Sequence, residues 1–155
     1  MRRPPAFLAP ALFALLLPAA VQAQAVLDCF GYQASALAIP EPWEAHSRTF
    51  ANGNVRVTLM DTVEPAAGAF FLLIQAPPRD EMGNRTCAVI GAEPGGMGFA
   101  GLEWGFLDSS YDPARGLTFR APVTVLAPAA ATGFAAVTLG VTVNQATGQI
   151  SPFYE

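Results

Sequence analysis

His46 is the only histidine of the chain, and Glu44 stands two residues before it. On an extended backbone residues i and i+2 share one side, so this imidazole and carboxylate would point the same way. Such a pair serves a nucleophile relay or supplies two ligands to a metal. The rest of either set is missing: there is no G-x-S-x-G elbow, no second histidine, and neither cysteine is expected to be free. The pair therefore reads as a solvated or hydrogen-bonded turn. A small secreted hydrolase or metal-dependent enzyme using Glu44 and His46 stands as the alternative.

Two further motifs imitate chemistry. Asp108-x-Ser110-x-Asp112 has the odd-position oxygen spacing of a calcium loop, but Pro113 stands where a glycine turn is needed and Phe119 where the closing carboxylate belongs. It reads as a turn rich in side-chain caps. The run Val89-Ile90-Gly91-Ala92-Glu93-Pro94-Gly95-Gly96-Met97, overlapped by Gly96-x-Gly98-x-x-Gly101, resembles the dinucleotide glycine loop of flavoproteins. Glu93 would set a carboxylate against the pyrophosphate, and no helical period follows to supply a dipole. A glycine-rich connection between strands is the better account. No catalytic, cofactor-binding or metal-ligating set is assigned.

Aromatic residues on loops of a rigid scaffold commonly anchor sugars or protein partners. Trp43, between Pro42 and Glu44, and Tyr111, within the Asp108–Gly116 segment, are the candidates for a recognition surface. Trp104 sits inside an expected strand and is assigned to the core.

These residues are positioned by a chain that begins with an export signal. Arg2-Arg3, the apolar stretch from Phe7 to Leu17, Pro18, and the small residues Ala23 and Ala25 form the three regions of a secretory signal peptide over residues 1–25. Cleavage after Ala23 and cleavage after Ala25 both fit. The apolar stretch is too short for a permanent anchor, so no integral membrane segment is expected after processing. Loss of Arg2 and Arg3 leaves six arginines against twelve acidic residues. That balance opposes nucleic acid as a partner.

An exported chain with two cysteines most simply forms one disulfide, here Cys29 to Cys87. Closing a loop of roughly sixty residues would stabilise the fold by about 4 kcal/mol. Val26-Leu27-Asp28-Cys29 also faintly resembles a lipobox, in which Cys29 would be lipidated instead, but Asp28 occupies a position that needs a small residue.

The elements read as short strands. Val26 to Tyr32 is a first strand, and Ile39 to Trp43, broken by two prolines, is a surface crossing. Ser47–Ala51 and Asn54–Met60 flank Asn52-Gly53, a hairpin turn, with Val55, Val57 and Leu59 facing the core and Arg56 and Thr58 facing water. Ala69–Ile74 is too apolar to have a wet face; Pro77–Arg85 is a surface loop; Thr86–Ile90 returns inside. Phe99–Leu107 is expected as a strand and Asp108–Gly116 as a turn. Leu117–Val125 alternates strictly, with Pro122 placing it at an edge, and Ala135–Val143 and a closing strand through Ile150 and Phe153 follow.

No helical period with start and stop signals occurs in the mature chain. The expected fold is therefore a single all-β domain over residues 26–155, an antiparallel β-sandwich with a small β-barrel as the alternative. The expected function is a periplasmic or secreted, non-catalytic binding or structural module whose partner is a protein or glycan of the envelope. An accessory protein or inhibitor of an envelope enzyme is the variant of that expectation.

Overall fold

A computed structural model describes residues 24–155; residues 1–23, where nearly all of the expected signal peptide falls, lie outside the described residues. Ten strands build two antiparallel sheets that face each other, with no α-helix among the described residues. The first sheet has the order β1 (Ala25–Leu27), β5 (Arg85–Gly91), β4 (Phe70–Arg79), β3 (Val55–Asp61), β2 (Ser47–Phe50). The second runs β10 (Ile150–Tyr154), β9 (Phe134–Val143), β8 (Gly116–Leu126), β6 (Gly101–Leu102), and β7 (Asp108–Asp112) also pairs with β8. The sheets stay open, so the fold is a sandwich and not a barrel.

Period-two alternation fills the space between the sheets. Val55, Val57 and Leu59 of β3, Leu72 and Ile74 of β4, and Ala88 and Ile90 of β5 meet Leu117, Phe119, Ala121 and Val123 of β8 and Leu139, Val141 and Val143 of β9. Each large side chain fully buried this way contributes about 1.5–3 kcal/mol. Phe50 reaches in from the β2 edge and meets the Phe119 ring edge-on, with centroids 4.8 Å apart.

The part of the first sheet's outer face nearest the N-terminal arm is also dry, which explains why Ala69–Ile74 shows no polar alternation. Met60, Phe71 and Val89 form a second cluster there with Ala38, under the N-terminal arm that follows β1. The arm is stapled by the Cys29–Cys87 disulfide, whose cysteines are 58 residues apart. Both cysteines are thereby engaged, and lipidation of Cys29 does not describe this state. Thr58, expected in water, is instead 3% exposed on this covered face, and its hydroxyl meets the Ser47 hydroxyl at 3.1 Å.

Several sequence-based boundaries need correction. β1 stops at Leu27 because the Asp28 carboxylate accepts the Phe30 amide at 2.8 Å and turns the chain. The Asn52-Gly53 hairpin has a four-residue loop, with Ala51, Asn52 and Gly53 all at positive φ. β4 continues through Pro77 and Pro78 to Arg79, because the pairing with β5 shifts register between Ala76 and Arg79 and needs no ladder donor from either proline. Only Asp80 to Asn84 remains as loop.

Phe99–Leu107 is not one strand. Phe99 makes an isolated bridge to Phe70, β6 is two residues long, and Trp104–Phe106 is a 3-10 turn. That turn tucks the Trp104 indole into the end of the core, where Nε1 donates to the Ala45 carbonyl at 2.7 Å and the Arg48 guanidinium lies 4.8 Å from the ring centroid. Asp108–Asp112, expected as turn, is the exposed edge strand β7; its charged side chains suit an edge that must not recruit another strand.

β8 is interior, not an edge, with β9 on one side and β7 and β6 sharing the other. Pro122 is tolerated because it falls between the β7 and β6 pairings. Its carbonyl accepts from the Glu103 amide at 3.0 Å, and the missing N–H would face the same gap. Thr118, on the side expected to be wet, is buried and shares a 2.9 Å hydrogen bond with Thr142 directly across β9.

Candidate functional site

The expected Glu44 and His46 pair does not share a side. Trp43–His46 is a 3-10 turn, not extended chain, so residues two apart diverge by about two-thirds of a turn. His46 Nδ1 lies 3.0 Å from the Pro40 carbonyl and 3.1 Å from the Pro42 carbonyl, so this nitrogen carries the proton and ties the proline crossing to the sheet. It is a hydrogen-bonded turn histidine. Asp108 and Asp112 each accept a nearby backbone amide, Ser109 and Ala114 respectively. No group of three or more metal-ligating side chains gathers among the described residues.

The glycine loop after β5 is shaped by packing. Gly98 lies so close to the Phe70 and Gly68 carbonyls that a Cβ would collide with both, and the chain then enters the Phe99 bridge and β6. Trp43 and Tyr111 are 63% and 65% exposed, as a recognition surface requires. They belong to different places. Trp43 stands on the turn leading into β2, whereas Tyr111 on β7 lines a groove of about 310 Å³ with Arg115 and the Asn144 loop.

A concavity of about 690 Å³ lies on the outer face of the first sheet, beside the disulfide. Strand register builds it. Arg56 of β3, Gln75 of β4 and Cys87 of β5 stand in one row across the sheet, and Arg79 of β4 is paired directly with Arg85 of β5 nearby. All five line the groove, with Asp28, Phe30 and Asp80 among the residues at its border. Phe30 is 98% exposed.

The electrostatics of this groove are unusual. Half of the six arginines between residues 24 and 155 converge here, and none makes an ion pair among the described residues. Two of them are held by uncharged carbonyls. Arg79 Nη1 donates to Gly83 at 2.6 Å, while Arg85 donates to Asn54 and, at 3.4 Å from Nη2, to Gly53 of the neighbouring hairpin. Arg56 makes no side-chain hydrogen bond among the described residues. Each guanidinium has five donors, so most remain free for a ligand.

The bordering carboxylates are turned to the backbone. Asp28 accepts from Phe30, and Asp80 accepts from the amides of Met82 and Asn84 at 2.9 and 2.7 Å and from Asn84 Nδ2 at 3.0 Å. These bonds, that of the Asn84 side chain first, hold the Asp80 carboxyl below its ordinary pKa. Asp80 thereby shapes the β4–β5 loop, which Arg79 and Arg85 flank as the last and first residues of the two strands.

From the sequence alone Arg56 faces water and Arg79 and Arg85 fall in a surface loop, with nothing to bring the three together. The convergence depends on two hairpin registers and a bulge, and the only local signal was that Arg85 and Cys87 are two apart on one strand. No protein family, curated protein or solved structure matches the chain. The fold itself defines the class: an open two-sheet antiparallel sandwich with one disulfide.

Proposed function

We propose that this protein is an exported, non-catalytic binding module of the bacterial envelope, acting through a preformed groove on a rigid β-scaffold. The observation that carries the proposal is the 690 Å³ groove over the disulfide, lined by three arginines without carboxylate partners among the described residues. A concavity of this size with a few convergent polar groups is the common form of a small-ligand site. The disulfide supports export, because such bonds persist in oxidising compartments. No described helix is long and apolar enough to cross a membrane, which is compatible with a free mature chain. The engagement of His46 Nδ1 by two proline carbonyls supports a structural role for the one imidazole.

Cell fractionation and intact mass of the native protein, followed by assays on ester, peptide and glycan substrates, test the proposal. The expected result is a periplasmic or secreted protein lacking the signal segment, two mass units lighter for the disulfide bond, and without turnover. Turnover that disappears in His46→Ala would overturn it.

A further inference from the structure

We infer that the groove over Cys29–Cys87 binds a phosphate-bearing sugar, with Arg79 and Arg85 gripping the phosphate, Arg56 as a third cation, and Phe30 receiving the sugar ring. This rests on the binding-module reading and gives it a ligand class.

The charge pattern points to an oxyanion. Arg79 and Arg85 stand directly opposite each other in an antiparallel pair, an arrangement that is unfavourable for like charges unless an anion lies between them. Neither is neutralised by a carboxylate within ion-pair distance among the described residues. Their carbonyl partners fix the guanidiniums in place without compensating the charge, so the cost of ordering two long side chains falls on folding rather than on binding. Guanidinium forks match phosphate oxygens in pairs, and a third arginine favours a dianion over a single carboxylate.

The remaining lining points to a sugar. Phe30 offers a nearly fully exposed ring for the apolar face of a pyranose, while Gln75 and Asn84 carry amides that can both donate to and accept from hydroxyls. Asp28 and Asp80 add acceptors at the rim. An acidic peptide would most readily bind by adding a strand, but the central row of the groove offers no free edge for one: Arg56 pairs with Thr49 and Gln75, Gln75 pairs with Arg56 and Cys87, and Cys87 is bonded to Cys29.

Isothermal titration of the mature disulfide-bonded protein with glucose 6-phosphate, glucose, inorganic phosphate and an acidic peptide tests this. Glucose 6-phosphate is expected to bind at least tenfold more tightly than glucose and more tightly than inorganic phosphate, with affinity falling as salt rises. Arg79→Gln and Arg56→Gln should each weaken it at least fivefold; because Arg56 holds nothing in the described fold, its variant should unfold at the wild-type temperature. Phe30→Ala should erase the advantage over inorganic phosphate. Equal binding of glucose and glucose 6-phosphate, wild-type affinity in both arginine variants, or tighter binding of the acidic peptide would overturn the inference while leaving the binding-module proposal standing. Release of inorganic phosphate from glucose 6-phosphate would instead overturn the non-catalytic reading alone.

Discussion

Arg79 and Arg85 face each other across the β4–β5 pair, and each guanidinium donates to backbone carbonyls instead of a carboxylate. A double-mutant cycle with Arg79→Gln, Arg85→Gln and the double variant isolates their interaction from the carbonyl bonds each one makes. In urea unfolding at low salt the coupling should be repulsive by about 0.2–1 kcal/mol and should fade as salt screens it. Saturating phosphate should reverse its sign. An attractive coupling without ligand would mean that the two side chains do not oppose each other.

The architecture was legible in the sequence where burial imposes a period. Leu117 to Val123, Val55 to Leu59 and the Asn52-Gly53 turn each carry their own pattern, and the disulfide follows from the cysteine count together with the expected export. The misplacements share a cause: a residue's neighbour lay far away in sequence. Thr58 and Thr118 look solvent-facing until a hydroxyl partner closes over them, and Pro122 looks like an edge residue until the gap between β7 and β6 is known. The arginine groove was hidden for the same reason, since Arg56 lies 29 residues from Arg85 and only cross-strand register joins them.

The Cys29–Cys87 bond holds the arm over Met60, Phe71 and Val89 as well as forming part of the groove wall. Replacing both cysteines by serine should destabilise the protein by about 4 kcal/mol, because the bond closes 58 residues of sequence separation. Lifting of the arm should also expose the second apolar cluster. Chemical unfolding and dye binding at moderate urea check both. A variant with wild-type stability and no added dye binding would show that the arm is held by packing alone.

Val63 is a valine at φ 66° and is 71% exposed, between Thr62 and Glu64, whose carbonyl and amide bond at 2.7 Å around it. That is a γ-turn of the strained hand, and a β-branched residue is poorly suited to it. Glycine would relieve about 1–2 kcal/mol of backbone strain while costing about 0.4–1 kcal/mol through the freer unfolded chain. Val63→Gly should therefore stabilise the protein by about 0.5 kcal/mol, read as a higher urea midpoint at unchanged slope. A fall in the midpoint would mean that the exposed side chain contributes packing that outweighs the strain.

Tyr154 closes the last strand with its hydroxyl buried and without a hydrogen-bond partner among the described residues. Burial pushes the phenol above its ordinary pKa; the nearby Gln24 side chain opposes this, although the two do not reach hydrogen-bond geometry. A raised folded-state pKa means that the unfolded chain ionises first. The stability associated with neutral Tyr154 is thus complete below about pH 10, the ordinary phenol value, and is lost as pH climbs from there through the folded-state value. Tyr154→Phe removes the titration and an unsatisfied buried hydroxyl together, so it should match or exceed wild-type stability at neutral pH and lose less of it under alkali. Urea midpoints across pH 8–11 for the two proteins check this, and identical alkaline slopes would refute it. Gln24 also bears on the expected removal of the signal segment. Cleavage after Ala23 keeps Gln24 beside the phenol and leaves Ala25 paired with Gly91, whereas cleavage after Ala25 removes both. Intact mass should accordingly find Gln24 as the first residue, because that boundary keeps all of β1 in the sheet.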